Sequence, residues 1–382
     1  MLKIALITNH PPPFRIPLYE KVAKMPDVDL QVIFCSAREP NRQWELVPLR
    51  FKHIFLKERF VTRGSNFIHN NPDVFPVLKQ VNPDVIITTG FNPTYLYAIG
   101  YALAKGIPHV PMTDGTEISE RSLSRWHRFI RRMVYSRSQA FIAASEGGRR
   151  LYESYGVAAE NCFLSCLCID NEAYLRNGIA KEKKYDLIFC GRIVPAKSPL
   201  FAIDVAVRTA KILGRKTSIL FVGSGEQEQR VKEEAARQAE FIEATFHGHA
   251  EQSQLPALYG SSRVFLFPTM GDVWGVVANE ACAAGLPIIV SSHAGSAGEL
   301  IVHGENGFIC ELKVDEWAEK IASLLVNDTV YQAFSRKSLA LASRYTFENA
   351  SAGLVDACWH AVGVRHSGKL NEVGREAGGE AG

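Results

Sequence analysis

The stretch Gly271–Pro287, GDVWGVVANEACAAGLP, sets two carboxylates, Asp272 and Glu280, in a run of valine and alanine. Gly285-Leu286-Pro287 is a stop signal, so the residues before it predict a helix over Trp274–Ala284. On that helix Glu280 shares a face with Val276, Val277, Ala283 and Ala284. An ionised carboxylate on an apolar face is costly unless something meets its charge or donates hydrogen bonds to it. A buried salt bridge is one answer. A ligand with paired hydroxyls is the other.

On both sides of this stretch, short apolar runs alternate with helix-like segments. In the first half KIALITN, LQVIFC, VIITTG, HVPMTD and AFIAAS read as strands, with helices over Pro17–Lys24 and Tyr95–Lys105. In the second half YDLIFCGR restarts the pattern, followed by SILFVGSG, ATFHGH, VFLFPT and PIIVSS. Strands alternating with helices imply parallel sheets covered on both faces, with ligands at the carboxyl ends of the strands. The expected division is a first domain over 1–168, a second over 169–346, and a last helix over about 347–365. The join lies at a charged stretch, Lys181–Lys184. Residues 366–382, RHSGKLNEVGREAGGEAG from Arg365 onward, show no apolar periodicity and read as a disordered tail.

With 382 residues, 47% hydrophobic and 22% charged, the chain is long enough for two full cores. A net charge of +3 gives no reason to expect a nucleic-acid partner. The longest apolar run, near Tyr95–Ala104, is about half the roughly 20 residues of a bilayer crossing. The opening apolar run is shorter than a signal peptide's and leads into Pro11-Pro12-Pro13, so no signal peptide is expected from it. The expectation is a soluble cytoplasmic protein. Cys35, Cys190, Cys282 and Cys310 stand singly in apolar stretches, as reduced structural cysteines do.

Three turns after strands carry candidate chemistry. CGRIVPAKSP, Cys190–Pro199, offers Arg192 as a fork for phosphate and Lys197 as a mobile point charge, after Gly191. FVGSG places Gly223 and Gly225 between a strand and a helix; FHGHA adds Gly248 and His249. Each alone is weak, since a tight turn explains a glycine equally well.

Taken in order, G-R-x-x-x-x-K, V-G-x-G, F-x-G, F-x-x-P-T and acid-x7-Glu followed by A-x-A-x-G-x-P resemble the donor domain of the retaining GT-B glycosyltransferases of family 4 (glycosyl transferases group 1). The resemblance is strong over Asp186–Phe308 and looser in the first half. It implies two Rossmann-like domains facing a central cleft. It further implies a nucleotide-diphosphate sugar as donor substrate, a glycan or lipid-diphosphate acceptor, retention of configuration, and neither cofactor nor metal. By resemblance Glu280 takes the ribose hydroxyls, Asp272 a hydroxyl of the donor sugar, and Arg192 and Lys197 the diphosphate. The amides at Gly275, Val276 and Val277 would face the same anion. A nucleotide-sugar 2-epimerase on the same fold and a non-catalytic nucleotide-sugar binder are the alternatives.

Three departures shift attention to other residues. The first acid is Asp272 rather than Glu. The loop NHPPPFR is rich in prolines, which carry no amide donors, so His10 and Arg15 become the polar candidates there. MTDGTE offers Asp114 or Glu117 where many relatives have a His. Arg15 is expected either on an acceptor phosphate or paired with Glu20. Finally, RSLSRWHRFIRRMVYSR, Arg121–Arg137, has six arginines and no acid, with Leu123, Trp126, Ile130 and Met133 at helical spacing. It is either a helix that packs this stripe on the sheet or a contact for an anionic membrane through Arg125, Arg128, Arg131 and Arg132.

Overall fold

The computed structural model describes residues 1–39, 48–63, 66–178 and 183–377. The chain divides into two compact units, Met1–Leu167 with Phe347–Gly382, and Cys168–Thr346.

In the first unit seven parallel strands run in the order β3-β2-β1-β6-β7-β8-β9. They are β1 (Leu2–Thr8), β2 (Val28–Phe34), β3 (His53–Phe55), β6 (Val85–Thr88), β7 (His109–Thr113), β8 (Phe141–Ala143) and β9 (Cys162–Leu164); β4 (Phe60–Arg63) and β5 (Asn66–His69) form a separate antiparallel hairpin. The helices are α1 (Ile16–Ala23), α2 (Val74–Val81), α3 (Pro93–Lys105), α4 (Arg125–Tyr135) and α5 (Glu146–Ser154). Helix α3 starts at a proline and stops at Gly106 in the left-handed region, the usual boundary chemistry. Ala5, Ile7, Ile33 and Ile86 of the sheet pack on Leu78, Tyr95, Ala98 and Ala102 of α2 and α3.

The second unit repeats the plan with six parallel strands in the order β12-β11-β10-β13-β14-β15. These are β10 (Tyr185–Cys190), β11 (Thr217–Val222), β12 (Ile242–Gly248), β13 (Ser262–Phe267), β14 (Ile288–Ser291) and β15 (Gly307–Cys310). Its helices are α6 (Asn171–Gly178), α7 (Pro199–Leu213), α8 (Glu228–Arg237), α9 (Leu255–Gly260), α10 (Val276–Ala283), α11 (Val314–Val326) and α12 (Asp328–Ala342). Leu187, Phe189, Ile219, Phe221, Val264 and Leu266 are fully buried because helices cover both sheet faces, as α7 does with Ala202, Ile203 and Ala206. In each unit the strand order reverses once, between β1 and β6 and between β10 and β13. Loops at such a reversal part and leave a crevice at the strand ends.

Helix α13 (Phe347–Ala377) returns to the first unit. Ala350, Leu354, Ala357, Cys358 and Ala361 are its buried stripe, and a Cβ on Gly353 would fall within 1.8 Å of the Leu164 carbonyl oxygen. Helix α13 continues to Ala377, into the stretch expected from sequence to be a disordered tail. Residues 378–382, and residues 179–182 at the expected join, lie outside the described residues.

Candidate active site

The loops at the strand-order reversal of the second unit gather the expected residues. After β10, Gly191 adopts φ 144°, and its amide donates to the Val222 carbonyl at 2.9 Å. Gly223, after β11, comes so close to this turn that a Cβ there would lie 2.0 Å from the Gly191 carbonyl oxygen. The Gly223 amide donates to Gly248 at 2.7 Å, which laces the ends of β10, β11 and β12 together. Arg192 is exposed and makes no side-chain ion pair or hydrogen bond among the described residues. His249 is likewise exposed beyond β12.

Lys197 crosses from the β10 loop to the β13 loop. Its Nζ donates to Asp272 Oδ2 at 2.5 Å and to Thr269 Oγ1 at 3.3 Å. Asp272 is held in turn, its amide on the His293 carbonyl at 3.2 Å and its Oδ1 accepting the Trp274 amide at 3.2 Å. The expected phosphate ligand and the expected sugar ligand are thus ion-paired. Sequence spacing gave no sign of this pairing.

Helix α10 starts at Val276 rather than Trp274 and ends at Ala283. Trp274 belongs to the preceding turn, buried with its indole N–H on Asn279 Oδ1 at 2.7 Å, and is cut off from the helix by Gly275 in the left-handed region. Gly275 sits at φ 89°, where a Cβ would lie 2.4 Å from the Phe267 ring. The first N–H groups of α10, at Val276 and Val277, have no intrahelical acceptor and can receive an anion.

Glu280 is buried, and the salt bridge considered from sequence is absent among the described residues. Instead Tyr259 Oη donates to Glu280 Oε2 at 2.9 Å, with Gln252 and Tyr174 also hydrogen-bonded to the carboxylate. Burial pushes the Glu280 pKa up to about 7 against the opposing pull of these three hydrogen bonds. The partners Tyr174, Gln252 and Tyr259 were missed in the sequence, where nothing marks two separated tyrosines as neighbours of one carboxylate.

In the first unit the carboxyl ends of β1 and β7 carry His10, Arg15 and Asp114. Arg15 replaces the Glu20 pairing considered from sequence with other partners. It is buried, with Nη2 2.5 Å from Asp114 Oδ1 and Nη1 donating to the Ser165 carbonyl at 3.3 Å, and it does not pair with Glu20. Glu117 pairs with Arg150 at 2.9 Å. His10 Nδ1 and His69 Nε2 lie 3.4 and 3.1 Å from the same Glu39 oxygen. Burial alone would raise the Glu39 carboxyl, but its hydrogen bond from His69 and the nearby His10 ring outweigh it and hold the pKa at about 2.

With this geometry in place, the comparisons decide the fold family. The family described as Glycosyl transferases group 1 matches residues 170–339, and Glycosyltransferase Family 4 matches residues 19–172. The solved structure of Anabaena HepE in complex with UDP is similar over 93% of this chain and 99% of its own, with TM-score 0.71 and 17% identity. The chain has the GT-B fold. An uncharacterized glycosyltransferase of Haemophilus influenzae is 27% identical over 177 residues, covering 45% of this chain and 48% of that one. A D-inositol 3-phosphate glycosyltransferase of Rhodococcus erythropolis is 28% identical over 180 residues, 44% of this chain and 40% of its own length. The chain therefore spans about half the length, or less, of these curated relatives. The two-unit GT-B plan matches the architecture expected from sequence, and no helix among the described residues is long and apolar enough to cross a membrane.

Proposed function

We propose that this GT-B protein is a retaining, metal-independent glycosyltransferase. It moves a sugar from a nucleotide-diphosphate sugar to a glycan or lipid-diphosphate acceptor, in the synthesis of surface polysaccharide or glycoconjugate. What carries this is the meeting of Lys197 and Asp272 at the strand-order reversal, with the start of α10 beside them. The UDP in the complexes of HepE supports a nucleotide donor.

Breaking the anomeric C–O bond leaves positive charge on the sugar ring and negative charge on the departing diphosphate. Arg192, Lys197 and the amides of Val276 and Val277 stabilise that negative charge, in the role a divalent metal plays elsewhere. Asp272 accepts a hydroxyl of the donor sugar and Glu280 accepts the ribose hydroxyls. Gly191, Gly223, Gly248 and Gly275 let the backbone approach the donor, with His249 at its edge. The acceptor attacks the face the diphosphate leaves, and a leaving phosphate oxygen takes its proton, so configuration is retained. On the first unit His10 and Asp114 contact the acceptor, and Arg15 positions Asp114. The protein works in the cytoplasm, at the inner face of the cell membrane where lipid-linked acceptors lie.

The test is incubation with a panel of nucleotide sugars and lipid-diphosphate acceptors, with and without EDTA, with the product's anomeric configuration read by NMR. Transfer with retention, unchanged by EDTA, is expected. An isomerised donor makes the protein an epimerase, and binding without turnover makes it a sensor. Loss of activity in EDTA, restored by metal, overturns metal independence.

A further inference from the structure

Helix α4 has two faces of opposite character. Val134 and Tyr135 are buried, and Ile130 packs beside them on the cluster of Phe141 and Tyr152. The other side carries Trp126, Phe129 and Met133, which are 67%, 56% and 42% exposed, with the first two rings stacked at 5.6 Å. Spacings of three and four residues set these side chains in one line along the helix. Packing of the whole Leu123-to-Met133 stripe on the sheet, one of the two sequence readings, is therefore corrected: only Ile130 and its C-terminal neighbours turn inward.

The arginines divide in the same way. Arg125, Arg128 and Arg132 are exposed, Arg125 and Arg132 within one turn of Phe129 beside the apolar line and Arg128 at the outer edge of the same patch, and no acid occurs from Arg121 to Arg137. Arg131 points elsewhere, 3.2 Å from Glu120 and with its guanidinium 4.6 Å above the Phe91 ring. The two carboxylates that precede α4 in the chain are engaged elsewhere. Glu120 binds Arg131 and accepts from Tyr155 Oη at 2.8 Å, while Glu117 pairs with Arg150. Among the described residues Arg125, Arg128 and Arg132 make no ion pair.

We propose that α4 is an interfacial anchor, which lays Trp126, Phe129 and Met133 among the headgroups of an anionic bilayer and sets Arg125, Arg128 and Arg132 on lipid phosphates. An apolar line alone would suit any apolar partner. Exposed arginines flanking it, with no acid between, select a continuous anionic plane. Arginine stems lie along apolar surface while their heads stay in the wet layer, and a tryptophan ring is at home in the same layer. Charge and insertion then act together, so binding persists in part where salt screens the charge. The anchor deepens the reading of a lipid-linked acceptor and rests on it for its purpose. Vesicle binding needs no turnover, so the two ideas fail separately.

The experiment is co-sedimentation of the full chain with phosphatidylcholine vesicles, alone or with about one-third phosphatidylglycerol. We expect binding only to the anionic vesicles, with a fraction surviving high salt. Each of Arg125→Gln, Arg128→Gln and Arg132→Gln should lower the partition coefficient about fivefold, the equivalent of ~1 kcal/mol per residue. The Trp126→Ser/Phe129→Ser variant should lose the salt-resistant fraction while unfolding at the wild-type temperature, since both side chains are exposed. No binding at low salt overturns the anchor, and undiminished salt-resistant binding by the serine variant overturns insertion. A wild-type dimer that the serine variant dissolves would assign this face to a second copy instead, and would also overturn the proposal.

Discussion

Lys197 Nζ lies 2.5 Å from Asp272 Oδ2, although 75 residues separate them in the chain. The pair joins the loops on the two sides of the strand-order reversal, and each partner has a separate task in the proposed transfer. A nucleotide diphosphate must therefore share or take Lys197 from Asp272. Asp272→Asn should weaken that hold. The expected outcome is nucleotide-diphosphate affinity equal to or a few-fold above wild type, with turnover down about ten- to a hundredfold from loss of a charge-assisted bond to the sugar. Calorimetry and steady-state rates check it; parallel losses in both would show that Asp272 serves the nucleotide.

Lys197→Ala should lower turnover more than donor affinity, because negative charge on the leaving oxygens grows toward the transition state. Equal losses would make Lys197 a binding residue only.

Glu280 predicts two pH dependences. Its carboxyl titrates near 7 in the folded chain against a reference of 4.5, so between those values the folded state holds a proton that the unfolded state has released. Its contribution to stability is complete below about 4.5 and is lost as pH rises through about 7, a loss of a few kcal/mol. Glu280→Gln removes this titration. Urea unfolding should show the variant gaining on wild type between pH 5 and pH 8. Nucleotide binding has the opposite sense, because ribose hydroxyls donate to the ionised form. Below pH 7, wild-type affinity should rise with pH more steeply than the variant's. At pH 8 the variant should bind about ten- to a hundredfold more weakly. Identical binding by variant and wild type would remove Glu280 from the donor site.

Arg15 and Asp114 should respond unequally to removal. Asp114 is 43% exposed and can return to water, whereas Arg15 at 5% cannot. Asp114→Asn therefore removes the charge partner of a buried guanidinium and should cost about 1–3 kcal/mol. Arg15→Met fills the same space and should cost less. Chemical denaturation of the two variants gives the comparison, and a greater loss in Arg15→Met would contradict it.

Gly275→Ala puts a Cβ against the Phe267 ring at a positive φ, so about 1–3 kcal/mol of stability should go. Nucleotide binding should fall with it, because the first turn of α10 must move. Thermal unfolding with and without nucleotide diphosphate reads both effects, and an alanine variant equal to wild type in both would mean that the turn is not tight.

Much of this protein was legible in the chain order alone. Apolar runs such as KIALIT and YDLIFC, separated by helical segments, determine two parallel sheets, because a strand covered on both faces must be apolar on both. The Gly285–Pro287 stop and the spacing of Asp272 and Glu280 likewise mark α10, its acid Glu280 and the acid in the loop before it, since helix boundaries are local chemistry. Local chemistry stops there. The short strands β3, β9 and β15 have too few residues for a periodic signal and exist through their neighbours in the sheet. The partners of Glu280 come from α6, the turn before α9, and α9 itself, and those of Arg15 from the ends of β7 and β9. Only packing of distant segments could pair Lys197 with Asp272 or turn Arg131 inward and Trp126 outward. A sequence gives a side chain its charge and its period, but which charge meets it is set by strand order in three dimensions.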